Sequence, residues 1–506
     1  MEELAARRVK RLQDLRKTGF DPFAEVKFRR SHMVAEVIAK FGKLADGEET
    51  DKDASMAGRL FSIRIMGGLV FADLRDGSGR IQLMVRKGEA GAEKVFEYFK
   101  NYLDEGDIVG VSGKIVKTRK GEVSINVNEI KMLAKALRPI PSEWYGVKDV
   151  EVRYRQRYLD LIMNSDVREL FTKISIMTNA MRQVLLDEKY VEVETPVLQP
   201  IYGGAFAKPF KTHHNFLKQD MFLRIAPELY LKKLTAGGLE RVFEVAKCFR
   251  NESVDTTHNP EFSQIELYEA YADYERMMEL TERMVEAAVV AVHGKTRFEY
   301  QGKTIDVKQP WKRMKMLDAL REFGKLDLEG KTDVEIRKIG QKHGLEDDRT
   351  GKIIEDLFSE LAQPHLVQPV FITHFPADIS PLAKKFKGEK WAQRFEGYMG
   401  GMEICNAFSE MNDPAQQFVN FREEDELRKK SGIKDLEFMP MDRDYIRAME
   451  YGMPPCGGLG VGLGRVFQVV LNKPSLKEVI LFPALASKED INTVVEMFPE
   501  LTRKQK

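Results

Sequence analysis

Cysteine is nearly missing from this chain. Only Cys248, Cys405 and Cys456 occur in 506 residues, far apart and never as CxxC. That scarcity excludes a disulfide framework and a cysteine zinc site. No uncharged apolar run approaches the ~18 residues of a transmembrane helix, so no membrane association is expected. Charge of one sign is also lacking in bulk: 80 Lys and Arg stand against 79 Asp and Glu, a formal net charge of +1. A histone-like or acidic-tail protein is thereby excluded, although local patches are not. The opening MEELAARRVKRLQDLRKTGF has no compact apolar core with a cleavage site, so it is not read as a secretory signal. Internal repeats and low-complexity tracts are absent. GKT occurs at 294–296, 302–304 and 330–332, but never with the upstream glycine of a Walker A loop.

What is present fits a cytoplasmic, multidomain globular protein: 43% hydrophobic and 9% aromatic residues over a length of about three to four domain-sized units. Residues 1–50 read as a charged helical segment. Leu12, Leu15 and Phe20 offer apolar contacts, and Arg7, Arg8, Lys10, Arg11, Arg16 and Lys17 form a basic face. That face is either solvated or laid against a polyanion. From 51 to 140, short β-branched runs alternate with Gly-containing turns (LFSIRIMGGLVFADL, RIQLMV, DIVGVSGKIVKT, KGEVSINVNEI), with one helical interlude. The pattern predicts a small five-stranded barrel of the oligonucleotide-binding (OB-fold) kind. PIPSEW at 139–144 reads as a linker. Val167, Leu170, Phe171, Ile174, Met177, Met181, Val184 and Leu185 then mark a strong amphipathic helix running into a short strand that ends at Pro196. The stretch 272–395 reads as helices packed beside a sheet, with a helical insertion at roughly 305–365.

Three segments carry chemistry. In FEVAKCFRNE, strand alternation puts Glu244, Cys248, Arg250 and Glu252 on one face, and THNPEFSQIELYEAY puts Phe262, Gln264, Glu266 and Tyr268 on another. Two adjoining strands would gather an arginine, carboxylates and aromatics on one polar face, either as a ligand site or as an amphipathic surface. In RFEGYMGGMEICNAFSEMND, Asn406, Phe408 and Glu410 share one parity, while Glu396 and Glu403 stand seven apart. The last two are either hard oxygen ligands for Mg²⁺ or solvated surface carboxylates. Glu403 has the wrong parity to face the same way as Glu410, so a bulge must intervene or only one of them faces the site. In GLGVGLGR, glycines at 458, 460, 462 and 464 make either a bare strand face for a flat ligand or a tightly packed strand.

In order, these segments resemble motifs 1, 2 and 3 of the class II aminoacyl-tRNA synthetases. The closer similarity is to the lysyl-tRNA synthetase family (subclass IIb), through RYRQRYLDLI, GGAFAKPF, THHN, RIAPELYLK, SPLAK, EICNAFSEMND and VILFPA, over roughly residues 10–485. The resemblance implies an α+β chain: an OB-fold β-barrel that binds the anticodon (51–140), then a class II antiparallel sheet flanked by helices (141–506), dimeric through the motif 1 region. It implies lysine–tRNA ligation with ATP as co-substrate, Mg²⁺, L-lysine and tRNA(Lys) as partners, and a homodimer.

By the same resemblance, Arg250 bridges the amino-acid carboxylate and the α-phosphate, and Glu252 receives the adenine amino group. His258 faces the outer phosphates with the ATP-site Asn259 nearby, Phe262 and Arg465 sandwich the adenine beside Gly462, and Glu396 and Glu403 hold the metal. Arg250 and Arg465 are the catalytic pair. Gly204 and Glu228 take the α-amino group, Glu266, Tyr268 and Glu410 surround the ε-ammonium, and Asn406 and Phe408 line the stem. An aspartyl enzyme needs cations in this pocket, and none is visible in the sequence. Arg64, Phe71, Gln82 and Glu122 fall where the family reads anticodon bases. The chain departs from the pattern at Gly464, where an acidic residue is usual, at Cys456–Gly457, and at Phe206. A loosely oriented Arg465 is expected from the first, and Asp at 464 is expected to lower the Michaelis constant for ATP.

Overall fold

A computed structural model describes residues 2–89, 91–141, 149–431, 439–487 and 493–502. The second half of the expected linker, 142–144, lies outside the described residues. The chain folds as two compact units, Met1–Val147 with Ala486–Lys506, and Lys148–Leu485.

The first unit contains α1 (Glu2–Lys17), α2 (Val34–Phe41), β1 (Glu49–Met66), β2 (Leu69–Arg75), β3 (Arg80–Arg86), α3 (Ala92–Asn101), β4 (Ile108–Lys117) and β5 (Val123–Ala134). The five strands close into an uneven ring in the order β1-β2-β3-β5-β4, in which β3 and β5 alone run parallel. Period-two alternation fills its interior with Leu60, Leu74, Ile81, Leu83, Val109 and Ile125. Part of the basic face of α1 is turned inward: Arg7, Lys10 and Lys17 are exposed, whereas Arg8 and Arg11 meet acceptors of the chain itself. Arg8 is buried and donates to the carbonyls of Ala136 (3.0 Å) and Glu105 (2.8 Å). Arg11 and Arg7 pair with Asp104 at 2.9 and 3.2 Å. Carboxylates and carbonyls of the ring supply the anion that sequence patterning left open. The described C-terminal residues belong here too, not to the second unit as the 141–506 boundary expected, because Val494, Met497 and Phe498 pack on Ala5 and Val9.

The second unit opens with α4 (Val150–Arg155), α5 (Arg157–Met163) and α6 (Ser165–Asp187), then β6 (Val191–Glu192) and β7 (Leu198–Gln199). Next come β8 (Lys211–His214), β9 (Gln219–Leu223), α7 (Glu228–Ala236), β10 (Arg241–Phe249), β11 (Glu261–Ala270) and α8 (Tyr274–His293). Then follow β12 (Arg297–Tyr300), β13 (Lys303–Asp306), β14 (Lys312–Lys315), α9 (Met316–Glu322), α10 (Asp333–Lys342) and α11 (Thr350–Leu361). The last are β15 (Val370–Pro376), β16 (Trp391–Met399), β17 (Met402–Ser409), α12 (Pro414–Ser431), α13 (Arg443–Glu450), β18 (Cys456–Gly462) and α14 (Leu463–Val470).

Eight strands form one sheet in the order β14-β15-β16-β17-β18-β11-β10-β6. Its centre is antiparallel, with one parallel pair at each edge, β14–β15 and β10–β6. Hydrophobic alternation divides the faces. Phe243, Ile265, Leu267, Leu459 and Val461 meet the methionines of α6 and α8 (Met177, Met181, Met277, Met278), all buried in one core. Each such side chain contributes about 1.5–3 kcal/mol on burial. The opposite face carries the polar parity. Two expectations fail in detail. The strand predicted before Pro196 is only Val191–Glu192, with β7 beyond the proline. The stretch 272–395 also contributes β14, β15 and β16 to the sheet, because VFITHFP and WAQRFEGYM hide strands between polar helices.

In the first unit, Lys135 Nζ is fully buried 2.7 Å from both Asp104 and Asp107. Removing a buried partner leaves charge uncompensated, at a cost of about 3–5 kcal/mol. Lys135→Met is expected to destabilise the ring by that amount, read as faster hydrogen exchange of the β4 and β5 amides.

Candidate active site

The polar face of β10, β11, β16, β17 and β18 floors a cleft of about 1190 Å³ within the second unit. Of the residues singled out there from the sequence, Arg250, Glu252, His258, Asn259, Phe262, Glu396, Glu403, Gly462, Arg465, Gly204, Glu228, Glu266, Tyr268, Asn406, Phe408 and Glu410 all line it. Register explains the assembly. Glu244 faces Glu266 and Cys248 faces Phe262 across β10–β11, while Glu266 faces Gly460 and Tyr268 faces Gly458 across β11–β18.

The parity conflict at Glu403 is resolved by a bulge. Gly397 pairs with Cys405 but Tyr398 pairs with Glu403, so Ile404 is an extra residue in β17. One inserted residue moves Glu403 onto the face of Asn406 and Glu410. Glu396 and Glu403 then lie close enough to repel. Burial first, and the Glu403 charge second, push the Glu396 carboxyl up to about 7. Arg394 Nη2 donates to Glu396 at 2.6 Å, and the Tyr398 hydroxyl donates to its other oxygen.

The glycine strand turns out to be both of the things it was read as. A Cβ on Gly458 would stand 2.0 Å from Glu410 Oε1 and 2.4 Å from the Tyr268 ring, so this position is packed. At Gly460 and Gly462 the nearest atoms would be 3.9 and 3.7 Å away, leaving bare backbone open to a flat ligand. Gly464 is not part of the strand; it sits in α14.

Arg465 is not loose. Its Nη1 donates to Glu403 Oε2 (2.8 Å) and to the Glu403 carbonyl (3.1 Å), and its Nη2 meets His258 Nε2 at 3.3 Å. A Cβ at 464 would approach Leu476 Cδ1 to 2.7 Å. The carboxylate expected from position 464 is supplied by Glu403, and the geometry gives no ground for a tighter ATP site on restoring Asp. Phe262 lies beneath the Arg250 guanidinium, 5.0 Å from ring centre to Cζ. Among the described residues Arg250 Nε is buried with no hydrogen-bond partner, a free donor at the cleft. Asn259 also anchors its loop: its amide donates to the Glu261 carbonyl (2.6 Å) and accepts from Ala484 N–H (3.1 Å).

The deepest part of the cleft is charged. Glu228, Glu266 and Glu410 are buried together with one cation that the sequence reading missed, Lys232. Its ammonium is 2.5 Å from Glu228 Oε1 and pairs with Glu410. The two carboxylates outweigh burial and keep Lys232 protonated. Glu266 has only neutral partners, Gln264 Nε2 (2.6 Å) and the Tyr268 hydroxyl (2.9 Å). Burial and then the Glu228 charge push it up to about 8. Gly204, at φ +85°, lets the backbone pass where a Cβ would be 2.6 Å from Glu228 Cβ. Phe206 packs on the cluster that contains Leu229, Tyr445 and Cys456, with Phe408 beside it. Burial raises the Cys248 thiol to about 12, so it is no nucleophile.

Two signals for the missed residues were present. Lys232 stands four residues after Glu228 on one helix face, and Arg394 shares the parity of Glu396. Arg394 is half-buried at the cleft wall, bonded to Asn406 (3.1 Å) and Ser380 (3.2 Å) as well as Glu396.

In the first unit, Arg64 faces Phe71, and Asp73, two residues on, faces Gln82, which in turn faces Ser124. Arg64, Phe71 and Gln82 therefore share one face of the ring. Gln82 accepts from Ser124 Oγ at 3.0 Å, and Glu122 pairs with Arg80 at 3.1 Å.

Residues 149–486 match the tRNA synthetases class II (D, K and N), and residues 54–133 match the OB-fold nucleic acid binding domain. The chain belongs to the class II tRNA synthetases. It is 46% identical over 491 residues to the lysine–tRNA ligase of Clostridium kluyveri, covering 96% of each chain. It is 45% identical over 481 residues to lysine–tRNA ligase 2 of Methanosarcina mazei, covering 93% of this chain and 92% of that one. The corresponding figure for the Methanoculleus marisnigri lysine–tRNA ligase is 44% over 483 residues, 94% of each. Among the described residues no helix is long and apolar enough to cross a membrane.

The two kinds of glycine in this synthetase separate by substitution. Gly458→Ala should overpack Glu410 and Tyr268 and cost about 1–3 kcal/mol. Gly460→Ala should change stability by less than about 0.5 kcal/mol. Urea denaturation of both variants checks the difference.

Proposed function

We infer that the chain is a lysine–tRNA ligase that activates L-lysine with ATP and transfers it to the 3′ end of tRNA(Lys). The observation that carries this is the make-up of the buried pocket: three carboxyl groups, Glu228, Glu266 and Glu410, gathered around one ammonium, Lys232, among the described residues. Glu228 and Glu410 share that ammonium and Glu266 meets only neutral donors, so the pocket has carboxyl groups to spare, which suits an amino acid with two ammonium groups. An aspartyl reading finds no support in Lys232, since its ammonium already lies between two carboxylates.

In this reading Glu228 and the Gly204 backbone receive the α-ammonium. Glu266, Tyr268 and Glu410 surround the ε-ammonium, and Phe408 and Asn406 line the stem. Arg250 takes the carboxylate and the α-phosphate with a fork that is suited to both. The carboxylate oxygen attacks the α-phosphorus and pyrophosphate leaves; the tRNA hydroxyl then attacks the acyl carbon and AMP leaves. No side chain acts as nucleophile, so the site works by positioning and charge neutralisation. The adenine lies on bare Gly460–Gly462 between Phe262 and Arg465, with Glu252 at its amino group and His258 toward the outer phosphates. Glu396 and Glu403 fit Mg²⁺: they are hard donors brought to one face by the bulge, and their mutual repulsion is relieved by a cation. When bound there, the ion would neutralise phosphate charge.

Arg64, Phe71, Gln82 and Glu122 are proposed to read the anticodon by stacking and edge hydrogen bonds. A second copy is proposed to cover the motif 1 region, where Ile176, Val191 and Leu198 are exposed apolar side chains beside the edge strand β6. A cytoplasmic location accords with three buried, unpaired cysteines.

Lysine-dependent ATP–pyrophosphate exchange, with aspartate and asparagine as controls, tests the reading; exchange with either control instead of lysine sinks it. The pocket also predicts a pH dependence. Glu266 titrates at about 8 in the free pocket, and a bound ammonium lowers that value. Lysine binding must then expel a proton below pH 8, so affinity should rise between about pH 6 and 8. Calorimetry in buffers of different ionisation heat should show this release, and Glu266→Gln should reduce it.

A further inference from the structure

Lys232 is fully buried on α7, and its ammonium is 2.5 Å from Glu228 Oε1 and paired with Glu410 Oε2. It lies 5.3 Å from the Phe408 ring centre, 5.8 Å from Tyr268 and 5.9 Å from Tyr445. A lysine that only completes a core needs one carboxylate. This one bridges two, and they come from separate elements, the start of α7 and the residue that follows β17. Among the described residues, Glu410 has no side-chain hydrogen bond, so the ion pair with Lys232 is what fixes its carboxylate. Packing behind it is tight, since Gly458 leaves no room for even a Cβ beside Glu410 Oε1. The carboxylates assigned to opposite ends of the substrate are thus tied to one internal ammonium.

We propose that Lys232 is a positioning residue that sets the length specificity of the amino-acid pocket. Its ammonium cancels one of the three buried carboxylates. It also ties Glu228 to Glu410, which limits how far the carboxylates assigned to the two ends of the substrate can move relative to one another. The inference rests on the lysine reading of the cleft. It adds a chain-borne cation as the ruler of that site. Cation–π attraction from the three rings keeps the ammonium centred, so neither carboxylate can follow a shorter substrate inward.

The test compares wild type, Lys232→Met and Lys232→Arg in exchange kinetics with lysine and with ornithine, which is one methylene shorter. Wild-type protein that neither binds nor activates lysine overturns the lysine reading itself, and the inference with it. With wild type active, Lys232→Met is expected to raise KM for lysine about tenfold or more and leave KM for ATP within about twofold. The lysine-over-ornithine ratio of kcat/KM should fall about tenfold, because the carboxylates are free to adapt. A purely structural lysine would not move that ratio. Lys232→Arg keeps the charge but replaces a point cation with a longer planar head, so it too should lose discrimination. Unchanged lysine KM and unchanged discrimination in folded Lys232→Met overturn the inference. If the methionine variant does not fold, wild-type discrimination in Lys232→Arg overturns it equally.

Discussion

Carboxyl groups crowded around one buried ammonium are the constraint on which the rest of the catalytic unit depends. Three of them around one cation is an arrangement that no isolated fold would favour, since each buried charge without a full partner costs several kcal/mol. It persists because the surroundings leave it no alternative. The α7 turn fixes Glu228 to Lys232, the β11 register fixes Glu266 beside Tyr268, and the packed glycine strand fixes Glu410. The hydrophobic face of the same strands, locked on α6 and α8, supplies the rigidity. Stability made on one side of the sheet is thereby exchanged for strain in charge on the other, and a dicationic ligand relieves it.

The arginine-lined end of the cleft follows the same logic with the opposite sign. Among the described residues Arg250 has a buried nitrogen without a partner, and Arg394 and Arg465 are held by Glu396 and Glu403. Arg394 and Arg465 are oriented in advance, so in the proposed reading little reorganisation accompanies the arrival of phosphate charge. Glu403 serves double duty here: one carboxylate orients Arg465 and faces Glu396. That economy explains how the chain dispenses with the acidic residue usual before the motif 3 arginine.

Much of this was legible in the sequence. Strand parity placed Phe262, Glu266 and Tyr268 on one face, whereas Arg250 lies just beyond the end of β10, and a one-residue parity conflict left a bulge as one of two readings of Glu403. What escaped has a physical reason in each case. Lys232 looked like any helix lysine, because periodicity shows which face a residue takes but not that two distant carboxylates converge on it. Arg394 is hidden by the same lack of tertiary information. Strands β14 to β16 were masked because the helices inserted among them are long and polar. The basic face of α1 was ambiguous because charge patterning cannot say whether the anion is foreign or lies a hundred residues along the same chain, as Asp104 does for Arg7.

The bulge at Ile404 has a bearing on how this site can vary over time. Side-chain exchange at 404 leaves the count of residues in β17 intact, and hence both Glu403 and Glu410 on the cleft face. Loss of that one extra residue would restore regular pleating and keep Glu403 on the cleft face, because Glu403 and Asn406 would then stand two residues apart. The bulge is thus a one-residue reserve in the spacing between Glu403 and Glu410. The segment between them should admit substitutions, and loss of the bulged residue, far more readily than insertions.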